Sequence, residues 1–246
     1  MAMEEGSSHA GDGSDDDDVP RLSSHALLAL NDFLRERQQM DLVNNGSGEE
    51  GEQQQQGQGF AILREDWGMS QFWYDAPTAR TLADEVLHLS ESFGSNIACV
   101  ACPSLYVQLK NSCPGMSVTL FEFDRRFARY GSDFTYYDYN YPQNLDDKFA
   151  HFFDIVVADP PYLSKECIEK MSQTLRFLSK DCERFPMLLL TGAMQQNHAS
   201  RLLNVHPCGF RPVHHKKLGN EFKLYTNYDP LDRLGGWEHK ATSSKD

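Results

Sequence analysis

The 246-residue sequence has no apolar run approaching the roughly 20 residues that a bilayer-spanning helix needs. Its amino terminus is acidic and lacks the basic and apolar regions of a secretory signal. A soluble, cytoplasmic protein without membrane attachment is the expectation. An excess of positive charge is missing too. The net charge is -13, and residues 1–59 hold thirteen Asp and Glu against three Arg, a balance of -10 that leaves -3 for residues 60–246. A chain that grips nucleic acid unaided normally shows a basic field, so stable nucleic-acid binding is not expected. Cysteine is scarce, with six residues, at 99, 102, 113, 167, 182 and 208. Cys99 and Cys102 form a C-x-x-C, but no second pair or histidine follows at metal-ligand spacing, and Cys99 falls inside a strand pattern. We read them as ordinary reduced thiols, with no metal site.

What is present suffices for one α/β domain with appendages: 40% of residues are hydrophobic and 11% aromatic. Residues 1–20 are rich in Gly, Ser and Asp and read as a disordered acidic tail. In residues 21–40, Leu27, Leu30, Phe33 and Leu34 make one apolar stripe behind a Ser23 or Ser24 cap, the pattern of an amphipathic helix that packs on the main domain or engages a partner. Residues 41–59, with their glutamine run, read as a flexible linker. The ordered domain is expected over residues 60–246, as a monomer.

Within that domain, QFWYDAPTARTLADEVLHLS predicts a helix with Pro77 in its first turn and Leu82, Val86 and Leu89 on one face. Strand patterns cover residues 96–101, 117–123, 134–137, 153–158 and 187–190, with helical patterns between several of them. That alternation predicts a mostly parallel sheet with helices on both faces. Residues 211–215 and 221–227, around Leu218, Gly219 and Asn220, predict an antiparallel hairpin closing the sheet. A small basic cluster of Arg211, Lys216 and Lys217 beside His214 and His215 reads as a solvated loop, or as a contact for an acidic patch on a substrate.

The chain is organised around FDIVVADPPYLSKECIEK, residues 153–170. A short β-branched run stops at Asp159, Pro160, Pro161 and Tyr162, where two prolines end regular hydrogen bonding and stiffen the backbone. Ser164 can cap the next helix, whose apolar face carries Ile168, Met171, Leu175 and Leu178. Open α/β sheets place their chemistry at such strand ends. A carboxylate, a prolyl carbonyl and an aromatic face suit a substrate amine better than a phosphate, which would want glycines and backbone N–H groups. Successive strands also end in acids: Glu122 or Asp124, then Asp138, then Asp159. In a parallel sheet these line one crevice, with Glu122 (first choice) or Asp124 placed for ribose hydroxyls and Asp138 for an adenine amino group.

The ordered motifs QFWYDAP, IACVACPS, FEFDRRFARYG, YYDYNYP, FDIVVADPPYLS, TGAM and NEFKLYTNYD resemble the seven-stranded, Rossmann-like class I methyltransferases that use S-adenosylmethionine. Within them the chain resembles the eukaryotic lysine methyltransferases of translation elongation factor 1-alpha, formerly labelled adenine-N6 DNA methyltransferases. The resemblance implies that Gln71 and Trp73 border the methionine end of the cofactor and that Ala101, Pro103 and Ser104 form the loop after the first strand. It also implies that Glu122 or Asp124 holds the ribose, Asp138 the adenine, and the Asp159–Tyr162 corner the accepting amine. Phe72, Tyr74, Tyr162, Asn220 and Phe222 fall on the substrate side, with Tyr162 and Trp73 or Tyr74 flanking a lysine stem. The glycine pair usual after the first strand is absent, so the backbone is expected not to approach the cofactor in the glycine-loop manner. Two other readings stay open: an adenine-N6 nucleic-acid methyltransferase, and a non-catalytic interaction protein on the same fold.

Overall fold

A computed structural model describes residues 60–238 except 61, 70, 217 and 218. The acidic tail, the amphipathic helix and the linker expected over residues 1–59 lie outside the described residues. Among those described, no helix is long and apolar enough to cross a membrane. Seven strands form one sheet in the order β3-β2-β1-β4-β5-β7-β6. They are β1 (Asn96–Val100), β2 (Ser117–Glu122), β3 (Phe134–Tyr136), β4 (Ile155–Ala158), β5 (Met187–Gly192), β6 (His206–Pro207) and β7 (Phe222–Thr226). The pairs from β3 to β5 are parallel, and β7 runs antiparallel to both β5 and β6. Among the described residues, four α-helices lie against the sheet: α1 (Ala76–Phe93), α2 (Pro103–Ser112), α3 (Lys165–Leu178) and α4 (Gln196–Leu203). The topology is the seven-stranded class I arrangement expected from the sequence.

The strands are apolar on both faces because both faces are covered. Ile97, Cys99, Ile155, Val157, Leu188 and Leu190 join a core with Leu82, Val86, Leu105 and Leu109 of α1 and α2. Their neighbours Ala98, Val100, Val156, Ala158, Met187 and Leu189 point the other way, into a second core with Met171, Leu175 and Leu178 of α3. Each Leu, Ile or Val side chain so buried contributes about 1.5–3 kcal/mol. The six cysteines carry no disulfide, and Cys99, Cys102, Cys167 and Cys208 are buried among these residues. The described residues contain no group of three or more His, Cys, Asp and Glu that could hold a metal ion.

Local signals set the helix starts. The Asp75 carboxylate accepts from Thr78 N–H at 2.8 Å ahead of α1, and Ser164 Oγ accepts from Cys167 N–H at 3.1 Å ahead of α3. The chain leaves α1 through Gly94 at φ 117°, where an added Cβ would lie 2.5 Å from the Asp154 carboxylate. That carboxylate accepts from Asn96 N–H and pairs with Lys180 at 2.5 Å. Gly94→Ala is expected to cost about 1–3 kcal/mol by combining backbone strain with this clash, read as a lowered midpoint in urea unfolding.

The closing hairpin differs from expectation. The outer partner of β7 is the two-residue β6, and residues 211–215 pair elsewhere: Asp75 N–H donates to Val213 O and His215 N–H to Trp73 O, framing a bridge between Tyr74 and His214. Pro212 removes one donor from this stretch, and the Arg211 guanidinium is held at Glu221 and Glu238. The basic cluster is tied down accordingly, with Lys216 paired to Glu65 at 3.1 Å. Lys217 lies outside the described residues.

Candidate active site

Strand order reverses at β1, whose neighbours are β2 on one side and β4 on the other. A crevice opens at the carboxyl ends there, as it does in open α/β sheets generally. It is a cavity of about 470 Å³. Its floor and walls come from the four strand ends: Ala101, Pro103 and Ser104 after β1, Glu122 and Phe123 at β2, Asp138 and Tyr139 after β3, and Asp159, Pro160, Pro161 and Tyr162 after β4. Gln71, Phe72 and Trp73 close one side, and His214, Asn220 and Phe222 close another. The cavity thus gathers residues separated by about 150 positions in the sequence.

Most residues singled out in the sequence meet here, but two do not. Asp124 is buried away from the cavity wall. Its carboxylate accepts from Gln71 Nε2 at 3.0 Å, from Arg126 N–H at 2.9 Å and from Arg126 Nε at 2.8 Å. Burial disfavours its ionisation, yet Arg126 and Gln71 hold the carboxyl below its ordinary range. The chain leaves the strand after Glu122, so Asp124 caps the following 3-10 turn instead of facing a ligand. Of the two candidates for the ribose, only Glu122 lines the cavity. Tyr74 also stands behind the wall: it is 5% exposed, with its ring 4.7 Å from that of His214. Trp73 lines the cavity but is anchored outward, its Nε1 donating to Leu63 O at 2.8 Å and its ring packed edge-on against Phe127.

The aromatic partners of Tyr162 are therefore different from those expected. The Tyr139 ring lies 5.6 Å from that of Tyr162, and the His214 ring lies 4.5 Å from that of Phe222. Neither Tyr139 nor His214 was singled out from the sequence for this role. Tyr139 lies inside YYDYNYP, one residue past Asp138, and that adjacency was the available signal. His214 sat in what read as a solvated basic loop. Burial pushes its imidazole down to about 4, against weaker opposing pulls from Glu65 and Asp75, so the ring is neutral near pH 7.

Two acids give the cavity its electrostatic character. Burial pushes the Asp159 carboxyl up to about 8, with Glu122 adding to the rise and Tyr74 opposing it. Burial likewise raises Glu122 to about 7, although the Asp124 N–H, 3.1 Å from Glu122 Oε1, works the other way. Carboxyls that resist ionisation in an enclosed site favour a cationic guest, whose charge offsets their desolvation. The loop after β1 has one unusual backbone position. Ala101 adopts φ 54°, the left-handed region that glycine usually fills, so the turn is made without the glycine at a local cost of about 1–2 kcal/mol. The helix α2 begins at once, at Pro103.

Residues 65–230 match the family model described as probable N6-adenine methyltransferase. EEF1A lysine methyltransferase 1 of Mus musculus is 46% identical, covering 88% of this chain and 95% of that protein. Its Homo sapiens counterpart is 45% identical over 87% and 95%. The protein-lysine N-methyltransferase M142.8 of Caenorhabditis elegans is 38% identical over 89% and 98%. With its sheet order, its Asp159-Pro160-Pro161-Tyr162 corner and this extent of similarity, the chain belongs to the EEF1A lysine methyltransferase 1 family.

Proposed function

We propose that this chain transfers methyl groups from S-adenosylmethionine to a lysine side chain of a protein, translation elongation factor 1-alpha in the first instance. The observation that carries the reading is that Asp159 lines one cavity together with Tyr139, Tyr162, Phe222 and His214. An aromatic-sided passage ending in a carboxylate receives an alkyl ammonium well: the rings cover the stem and attract its charge, and the acid meets the nitrogen.

The cofactor half fits its ligand. Glu122 sits at the end of β2 with a buried carboxylate available to ribose hydroxyls, Asp138 and Phe123 border the position for adenine, and Ala101 supplies the left-handed turn before α2. S-adenosylmethionine, when bound, supplies a methyl group activated by a sulfonium charge. The chain's own residues must then deliver a neutral amine. A free lysine has a pKa of about 10.4, so near pH 7 it arrives protonated. Asp159 and the Pro160 carbonyl orient the nitrogen, and the ionised Asp159 carboxylate accepts its proton. The prolines keep both acceptors rigid, and such positioning can lower a barrier by about 7–11 kcal/mol.

An adenine acceptor is the competing reading, favoured by the family model's description. The charge distribution opposes it. Residues 60–246 carry -3, and two basic side chains of the described residues are already paired, Lys170 with Glu166 at 2.6 Å and Arg211 with Glu221 and Glu238. Label transfer from S-adenosylmethionine to purified elongation factor 1-alpha, to adenine-containing DNA and to RNA separates the two. Incorporation into the protein alone is the expected result, and incorporation into nucleic acid alone would refute the proposal.

A further inference from the structure

One wall of the cavity comes from a stretch outside the sheet. Gly68, Met69, Gln71, Phe72 and Trp73 line the cavity, yet among the described residues of 64–73 the regular structure is one 3-10 turn, Trp67–Met69. Much of its hydrogen bonding is internal: Met69 N–H and Gln71 N–H donate to Asp66 O, and Trp73 N–H donates to Glu65 Oε1 at 2.9 Å. His215 N–H donates to Trp73 O, and Lys216 pairs with Glu65. A stretch of this kind keeps its place through the few contacts that fasten it to the rest of the fold.

Gln71 fastens it to the end of β2. The residue is 6% exposed, and its amide is engaged on both sides. Nε2 donates to Asp124 Oδ2 at 3.0 Å, while Oε1 accepts from Asp66 N–H at 3.1 Å and from Arg126 Nη2 at 3.0 Å. The Arg126 guanidinium closes the circle, its Nε and Nη2 lying 2.8 and 2.6 Å from Asp124 Oδ2. Its Nη2 also reaches Arg64 O at 3.5 Å. One planar fork thus touches the carboxylate just past β2 and the wall stretch at both positions 64 and 71. A lysine ammonium would bring the charge without the fork.

We propose that Arg126 is a positioning residue for the cofactor: with Asp124 it locks the Gln71 amide and so holds residues 64–73 as a preformed wall of the S-adenosylmethionine site. This rests on the cofactor reading above and is indifferent to whether lysine or adenine accepts the methyl group. Arg126 does not itself line the cavity, so it acts through Gln71. Without the fork the formed wall is one arrangement among several, and apparent affinity falls in proportion to the fraction of chains that keep it.

Arg126→Lys keeps a positive charge beside Asp124 and loses the fork. In ligand-free protein, hydrogen exchange at the Asp66 and Gln71 amides should quicken by about tenfold, the change in opening that follows from losing a hydrogen bond to a charged group. Titration calorimetry should show S-adenosylmethionine bound about tenfold more weakly, with kcat at saturating cofactor within about twofold of wild type. In a Gln71→Leu background the same substitution should change affinity by less than about twofold, because the group it positions has gone. Exchange equal to wild type, unaltered affinity, or equal losses in the two backgrounds overturns the proposal. A lowered melting temperature with unaltered affinity also overturns it, since that marks a role in folding alone. Wild-type protein that binds no S-adenosylmethionine would instead defeat the cofactor reading, and the exchange rates would still decide whether Arg126 holds the wall.

Discussion

Asp159→Asn is expected to slow methyl transfer by about 10²–10⁴-fold while leaving the affinity for S-adenosylmethionine within a few fold of wild type. The range is that for removal of a positioned proton acceptor. Asparagine keeps the size of the side chain and one carbonyl oxygen, so loss of rate isolates the charge. The same variant makes an opposite prediction for stability. The carboxyl titrates near 8 in the folded chain and near 3.9 when unfolded. Between those values the folded state binds a proton that the unfolded state does not, so wild-type stability falls as pH rises through that window. Asp159→Asn removes this dependence. Its melting temperature should exceed that of wild type at pH 9 and converge with it near pH 4. An enzyme that loses activity and gains alkaline stability from one substitution carries a charge kept for function. Retention of most turnover would remove Asp159 from the mechanism.

Glu122→Ala is expected to weaken binding of S-adenosylmethionine by about 10- to 150-fold, the equivalent of about 1.5–3 kcal/mol for hydrogen bonds to a charged acceptor. Titration calorimetry at pH 8 measures it. Glu122→Gln should fall between, since its amide oxygen still accepts from ribose hydroxyls and from the Asp124 N–H. Asp124 predicts a contrasting result. Its carboxylate clamps Gln71 and Arg126 instead of lining the cavity, so Asp124→Asn should lower stability and affect cofactor affinity only through Gln71. Equal losses of affinity in the two variants, with no loss of stability in Asp124→Asn, would contradict this division of roles.

Much of the scaffold was legible because its strands are buried on both sides. Runs such as IACV and IVVA are short, apolar and bounded by turn residues, a pattern few other structures produce. The Asp159-Pro160-Pro161-Tyr162 corner was legible for a different reason, since proline fixes the backbone whatever surrounds it. Residues whose roles depend on tertiary packing were harder to place. Tyr139 and His214 belong to segments 75 positions apart, and nothing local marks them as lining one cavity. Glu122, at the strand end, was the first choice over Asp124 two residues on, and the reason lies in the turn between them, which gives Asp124 a cap to make. The partner of β7 was missed because β6 has only two residues, too few to show a period. The left-handed backbone at Ala101 had no glycine to signal it in the sequence.

The central claim is that this cavity receives a lysine amine at Asp159. A crystal structure with S-adenosylhomocysteine and a lysine peptide of elongation factor 1-alpha tests it most directly. The account predicts the lysine stem between the Tyr139–Tyr162 pair and Phe222, with its nitrogen in hydrogen-bond reach of the Asp159 carboxylate and the Pro160 carbonyl. A peptide bound elsewhere, with Asp159 facing away from the cofactor and no passage for the side chain to reach it, would contradict it.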